Sequence, residues 1–175
     1  NPNAIIVIVG IAKGVSYGSP CPQGEWKDVF LKEIEGHYDP EKVLFVGQLP
    51  YQDFLNLLKL SRVHVYLTYP FVLSWSMLEA MSCGAVVIGS KTPPVEEVIE
   101  HQKNGLLVDF FDTNELAETI AQVLSDPDQY KILAQQARKT IQERYDLNSV
   151  CLIHRISDGV FGLKRKRVCV LRNRM

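Results

Sequence analysis

Tyr69-Pro-Phe-Val-Leu-Ser-Trp-Ser-Met-Leu-Glu-Ala-Met-Ser-Cys-Gly84-Ala-Val-Val-Ile-Gly-Ser90 reads as a loop, a helix, a glycine stop at Gly84 and a buried strand. Outward from it, four more short β-branched runs punctuate the chain: Ile5 to Val9, Val43 to Val46, Val63 to Leu67 and Leu106 to Val108, alongside Ala85 to Ile88 within the quoted stretch. Between them lie apolar residues at helical spacing. Trp26, Val29, Phe30 and Ile34 make one stripe, Phe54, Leu57 and Leu58 a second, and Val95, Val98 and Ile99 a third. Two longer helices are predicted after the last strand. Asp112 precedes Glu115 by three, a capping-box spacing, with Leu116, Ile120, Val123 and Leu124 as the apolar face; the next helix is predicted from Asp126 and Pro127 to about Tyr145. Strands of nearly continuous apolar character alternating with helices predict one α/β domain, a doubly wound, Rossmann-like parallel sheet covered on both faces. Ligands bind such sheets at the carboxyl ends of the strands, so the loops after Val9, Val46, Leu67 and Ile88 are where function is sought.

The composition agrees with that class. The chain has 175 residues, 46% of them hydrophobic, enough for a sizeable core and incompatible with a disordered, collagen-like or coiled-coil protein. A net charge of −1 gives no polyelectrolyte character, and no nucleic-acid partner is expected. Lys164, Arg165, Lys166, Arg167, Arg172 and Arg174 crowd into the last twelve positions, leaving 13 basic residues against 20 acidic ones in residues 1–163. Residues 153–175 are therefore read as a basic tail, a solvated end or a contact for phosphate or a membrane surface, and residues 1–152 as the domain. No apolar run approaches the roughly 20 residues that cross a bilayer. Four scattered cysteines without C-x-x-C spacing give no metal site and point to a reducing, cytoplasmic setting; the opening Asn1-Pro2 carries no signal peptide and suggests a piece of a longer protein.

Two glycine-rich segments fail as nucleotide motifs. Gly84 to Thr92 nearly spells a P-loop, but Ser90 stands where Lys must follow Gly89, and Ala85 to Ile88 is strand where the motif needs loop. Gly10-Ile-Ala-Lys-Gly14 lacks the G-x-G-x-x-G fingerprint, which leaves an NAD-dependent oxidoreductase weakly supported. The stretch from Gly10 to Gly24 exceeds the usual connection of about 2 to 6 residues and reads as a functional loop. The helix start at Ser74 to Ser76 lies at a strand's carboxyl end and offers N–H groups and a positive dipole end to an anion. Glu79, read as lying in the first turn, could accept hydrogen bonds from a ribose; equally, Ser76-x-x-Glu79 fits a capping box, and spacing alone favours the cap. His37, His64, His101 and His154 are isolated, Cys83 reads as a packing residue, and Asp109 and Asp112 read as loop and cap.

Leu78-Glu-Ala-Met-Ser-Cys-Gly-Ala-Val-Val-Ile-Gly, followed by Glu96-Glu-Val-Ile and Asn104-Gly-Leu-Leu-Val, resembles the donor-binding domain of family 4 (group 1) retaining glycosyltransferases of the GT-B fold, over about Ala4 to Leu152. The resemblance implies the carboxyl-terminal half of that fold and a nucleotide-diphosphate sugar as donor, with no cofactor and no metal. It moves Glu79 from cap to ribose ligand. It sets Ser74 beside phosphate or sugar, brings the backbone N–H groups of Trp75 and Ser76 to the β-phosphate, and places Gly47, Gln48 and Leu49 beside the base. In the family a second glutamate, by the transferred sugar, stands eight positions earlier. Here that position is Phe71, and Val72 replaces a small residue, so Phe71, Val72 and Lys13 are kept only as further contacts for phosphate or sugar.

The resemblance further implies an acceptor domain amino-terminal to this chain, carrying the catalytic face, and an Arg/Lys pair on an earlier strand. The expected protein is a cytoplasmic transferase, with peripheral membrane contact of the full-length form as a further expectation, and this chain alone is expected to be inactive. Catalytic residues are not assigned. Phe71 and Val72 keep open an alternative, a nucleotide-binding or interaction module of the same fold without transfer chemistry.

Overall fold

Ile6–Val9 (β1) pairs in parallel with Val43–Gly47 (β2), and Val63–Tyr66 (β3), Val86–Ser90 (β4) and Leu106–Val108 (β5) pair in parallel in that order. A computed structural model describes residues 3–11, 19–69 and 73–146. Among the described residues the helices are α1 (Trp26–Glu33), α2 (Tyr51–Leu60), α3 (Trp75–Cys83), α4 (Pro93–Glu96), α5 (Thr113–Ser125) and α6 (Lys131–Arg144), with a 3-10 turn at Pro40–Lys42. Strand and helix alternate as predicted, and every strand lies within two residues of its predicted limits.

The ladder, expected as one sheet, comes in two pieces. From β1 to β2 the chain steps one way, and from β3 through β4 to β5 it steps strand by strand in a second sheet. Within each sheet the strands follow in chain order, and among the described residues the end strands β1, β2, β3 and β5 each keep one edge without a ladder partner.

The core belongs to the second piece. Val87 and Leu107 point to one face, where they meet Met77, Ala80 and Met81 of α3, Val95, Val98 and Ile99 around α4, Leu58 of α2 and Ala137 of α6. Val86, Ile88, Leu106 and Val108 point to the other, against Val123 of α5 and Leu133 of α6. This alternation is the period of two that a strand imposes. Met77, Met81, Ile88 and Ile99 are fully buried, each worth about 1.5–3 kcal/mol in apolar burial. Coverage on both faces thus holds for β4 and β5. It fails for β1 and β2, whose residues alternate between half-buried and exposed, because no second layer of described residues closes over them. The predicted stripe of α1 likewise buries no residue; Trp26 stacks on Phe30 with ring centroids 5.7 Å apart, and Phe30 stays 55% exposed.

Two helix starts differ from expectation. Asp112 caps α5, accepting from the N–H groups of Asn114 and Glu115, but Glu115 reaches the N–H of Asp109 (2.7 Å) rather than closing a reciprocal box with Asp112. Pro127 does not open the last helix. Residues 127–130 form a turn, tied by Gln129 N–H to the Asp126 carboxylate, and α6 begins at Lys131 after the chain has changed direction. Gly84 does end α3: at φ +82° it closes a Schellman motif, with Ala85 N–H on the Ala80 carbonyl and Gly84 N–H on that of Met81, both 3.1 Å. The basic tail, residues 153–175, lies outside the described residues.

Candidate functional site

The loop leaving β3 is pinned at both ends. Thr68 sits just past the last ladder pair, Tyr66 with Gly89. Its N–H donates to Ser90 Oγ (3.0 Å), and the Ser90 hydroxyl donates back to the Thr68 carbonyl (2.9 Å). Thr92 Oγ1 adds a longer bond to the same carbonyl at 3.3 Å. At the far end the Ser74 N–H donates to the Tyr66 hydroxyl at 2.8 Å. Two ends fixed to adjacent strands determine where α3 starts.

Ser74, not Ser76, is the N-cap of α3. Its Oγ accepts from the Ser76 N–H at 3.3 Å and lies 3.0 Å from the Ser76 hydroxyl. With the cap two residues earlier than the Ser76-x-x-Glu79 reading requires, Glu79 falls in the second turn, and that capping box does not form. A phosphate approaching the Ser76 N–H meets the Ser74 hydroxyl already there. Trp75, the first helical residue, is 75% exposed.

Glu79 is half-buried, and its Oε1 accepts a hydrogen bond from the Tyr51 hydroxyl at 2.8 Å. Tyr51 opens α2 directly after the loop that begins at Gly47. Gly47 has φ +68°, a left-handed conformation cheap only for glycine, and its carbonyl accepts from Gly10 N–H at 2.9 Å, so the chain leaves β2 sharply into Gln48, Leu49 and Pro50. The Glu79 carboxylate and the start of that loop's helix are therefore one hydrogen bond apart.

Lys13, Phe71 and Val72 lie outside the described residues. Of the isolated histidines, His37 and His101 are exposed, His101 Nδ1 accepting from Leu107 N–H at 2.9 Å, and burial in β3 lowers the pKa of the His64 imidazole from its ordinary value of 6.5. Burial likewise pushes the Cys83 thiol up, opposite to what an activated nucleophile needs. Asp109 accepts from Phe111 N–H and stays a loop residue. Asn104, the first residue of the third matching segment, is structural: buried, it donates to the Val98 carbonyl and Thr140 Oγ1 (both 3.0 Å) and accepts from Glu100 N–H at 2.7 Å. A concave surface beyond β4 and β5, walled by Lys91, Glu96, His101 and Glu115, contains none of the predicted site residues.

Sequence reading missed Tyr51, Tyr66, Thr68, Ser90 and Thr92. Ser90 carried a usable signal, a hydroxyl ending an apolar run that must be buried. Tyr51 carried none, because its partner is 28 residues away.

The family model for glycosyl transferases group 1 matches residues 1–140. Among curated relatives, N-acetyl-alpha-D-glucosaminyl L-malate synthase of Bacillus anthracis is 28% identical over 115 residues, 66% of this chain and 30% of the relative. Chitobiosyldiphosphodolichol beta-mannosyltransferase of Candida glabrata is 31% identical over 128 residues, 71% of this chain and 28% of the relative. The chain thus spans less than a third of these relatives. Among solved structures, Anabaena Alr3699/HepE in complex with UDP superposes with a TM-score of 0.73 at 23% identity, over 93% of this chain and 42% of that one. The carboxyl-terminal domain of a group 1 glycosyl transferase, LpcC of Francisella tularensis, superposes with 0.63 at 19% identity, over 70% and 63%. The structures establish the Rossmann-like fold of GT-B glycosyltransferases, and with the family match over most of its length the chain belongs to the group 1 glycosyl transferases.

Proposed function

We propose that this chain is the donor-binding, carboxyl-terminal domain of a retaining glycosyltransferase that moves a sugar from a nucleotide-diphosphate donor to an acceptor. The observation that carries the reading is Glu79: a carboxylate in the second turn of α3, one hydrogen bond from the helix that follows Gly47 to Pro50. In this reading Glu79 accepts the ribose hydroxyls and the loop at Gly47, Gln48 and Leu49 borders the base. The start of α3 meets the diphosphate with the positive end of a helix dipole, through the Ser74 hydroxyl, the Trp75 N–H and, where the diphosphate displaces that hydroxyl, the Ser76 N–H. Neither a resident cofactor nor a bound metal has a part in it. HepE, a structural neighbour with UDP bound, supports a nucleotide ligand for this fold. The missing two-thirds of the relatives' length would supply the acceptor side and the second wall of the active site, so the chain alone binds donor without efficient transfer.

A melting-temperature screen of UDP, GDP and their sugars against NAD tests the class of ligand. Glu79→Gln is expected to weaken the nucleotide that binds by about 1 to 3 kcal/mol, the scale of charge-assisted hydrogen bonds, with little change in the ligand-free melting temperature. Unchanged affinity with lowered stability would reduce Glu79 to a structural residue. A second reading, a module that binds nucleotide without transfer, is favoured by one observation, Phe71 at the position of the family's sugar-side glutamate. Transfer assayed on the full-length protein decides between them.

A further inference from the structure

Tyr51 is where the apolar stripe of α2 runs out of the core. Phe54, Leu55 and Leu58 follow it at spacings of three, four and seven, and pack with Met77, Ala80 and Met81 of α3. Tyr51 continues that stripe to the end of α2 nearest the Gly47 loop, is 56% exposed, and spends its hydroxyl on Glu79 Oε1 at 2.8 Å. No ion pair among the described residues involves Glu79. A glutamate has three rotatable bonds and loses up to about 2 kcal/mol of side-chain entropy when a ligand fixes it. A carboxylate also has about four acceptor positions, of which one phenol occupies one.

We propose that Tyr51 is a positioning residue of the donor site: its hydroxyl holds Glu79 with Oε2 open to the ribose diol and links that carboxylate to the loop beside the base. The proposal rests on the reading of Glu79 as ribose ligand. It assigns Tyr51 no contact with the nucleotide. The packing of α2 on α3 fixes the ring, the ring fixes the carboxylate, and a nucleotide then meets an acceptor already oriented.

The test is calorimetry on the purified protein with UDP and GDP, taking forward whichever binds, and with its 2′,3′-dideoxy analogue. Tyr51→Phe keeps the ring and removes one oxygen. It should weaken the ribonucleotide about three- to tenfold, the scale of one net hydrogen bond, while the dideoxy analogue binds as before, so their affinity ratio falls. A purely structural role would move both ligands, or the melting temperature, and leave the ratio alone. If Glu79→Gln collapses the ratio and Tyr51→Phe does not, the proposal fails by itself. If the unaltered protein shows no preference for the ribonucleotide, the reading of Glu79 fails and takes the proposal with it. Tighter ribonucleotide binding by Tyr51→Phe would show that the phenol competes with the ribose, and would also overturn it.

Discussion

Replacing Ser90 with Ala should cost stability out of proportion to the one oxygen removed, and should loosen the start of α3. Ser90 is fully buried at the carboxyl end of β4, and its hydroxyl both accepts from Thr68 N–H and donates to Thr68 C=O. Without it the carbonyl keeps Thr92 Oγ1 at 3.3 Å, but the half-buried N–H loses its partner. An unsatisfied amide in such a place costs about 1–3 kcal/mol, so a loss near 2 kcal/mol is expected. For a domain of this size each kcal/mol shifts the melting temperature by about 2–4 °C, which sets an expected fall of about 4–8 °C. Thr92→Val removes the longer bond and the 3.4 Å contact with the Ser90 hydroxyl, and should cost about 0.5–1 kcal/mol, since the carbonyl retains the Ser90 hydroxyl. Thermal melts of the two variants, followed by nucleotide titration, read both effects. The freed loop in Ser90→Ala should also weaken nucleotide binding. A melting temperature unchanged by Ser90→Ala, or a larger fall with Thr92→Val, would refute the account of the loop as pinned by that hydroxyl pair.

Gly89→Ala would set a Cβ 2.8 Å from Val95 Cγ1 and 3.4 Å from Ile99 Cδ1. Val95 is fully buried and β-branched, so overpacking should cost about 1–3 kcal/mol, read as a lower denaturation midpoint; an unchanged midpoint would mean that α4 can lift off the strand. His64 predicts a pH slope. Desolvation lowers its folded pKa below 6.5, so the unfolded chain binds more protons, and the stability contribution is full above pH 6.5 and lost as the pH falls towards the folded value. Urea titrations between pH 7 and 5 should show that slope, reduced in His64→Phe; equal slopes in both proteins would remove His64 as the cause.

The sequence by itself determined the alternation of strands and helices, because a buried parallel strand must be an apolar run and a covering helix must carry a stripe, and both patterns are local. Leu106–Val108 and the cap at Asp112 were legible to the residue for that reason. Gly84 was equally plain, since a helix that must turn at once into a strand needs a residue at ease in the left-handed region. Local patterns could not say which runs would be covered. Ile6 to Val9 reads like Val86 to Ile88, yet only the latter finds a layer on each face, and that depends on what packs there rather than on the strand. The cap at Ser74 instead of Ser76 was beyond sequence for a similar reason. Ser74 and Ser76 are both competent caps, and the choice fell to Tyr66, whose hydroxyl holds the Ser74 N–H from the neighbouring strand. Motif resemblance singled out Glu79 from the residues around it. Only the tertiary structure gave it Tyr51 as a partner, because a hydrogen bond across 28 residues exists once α2 and α3 pack and leaves no periodic trace in the chain.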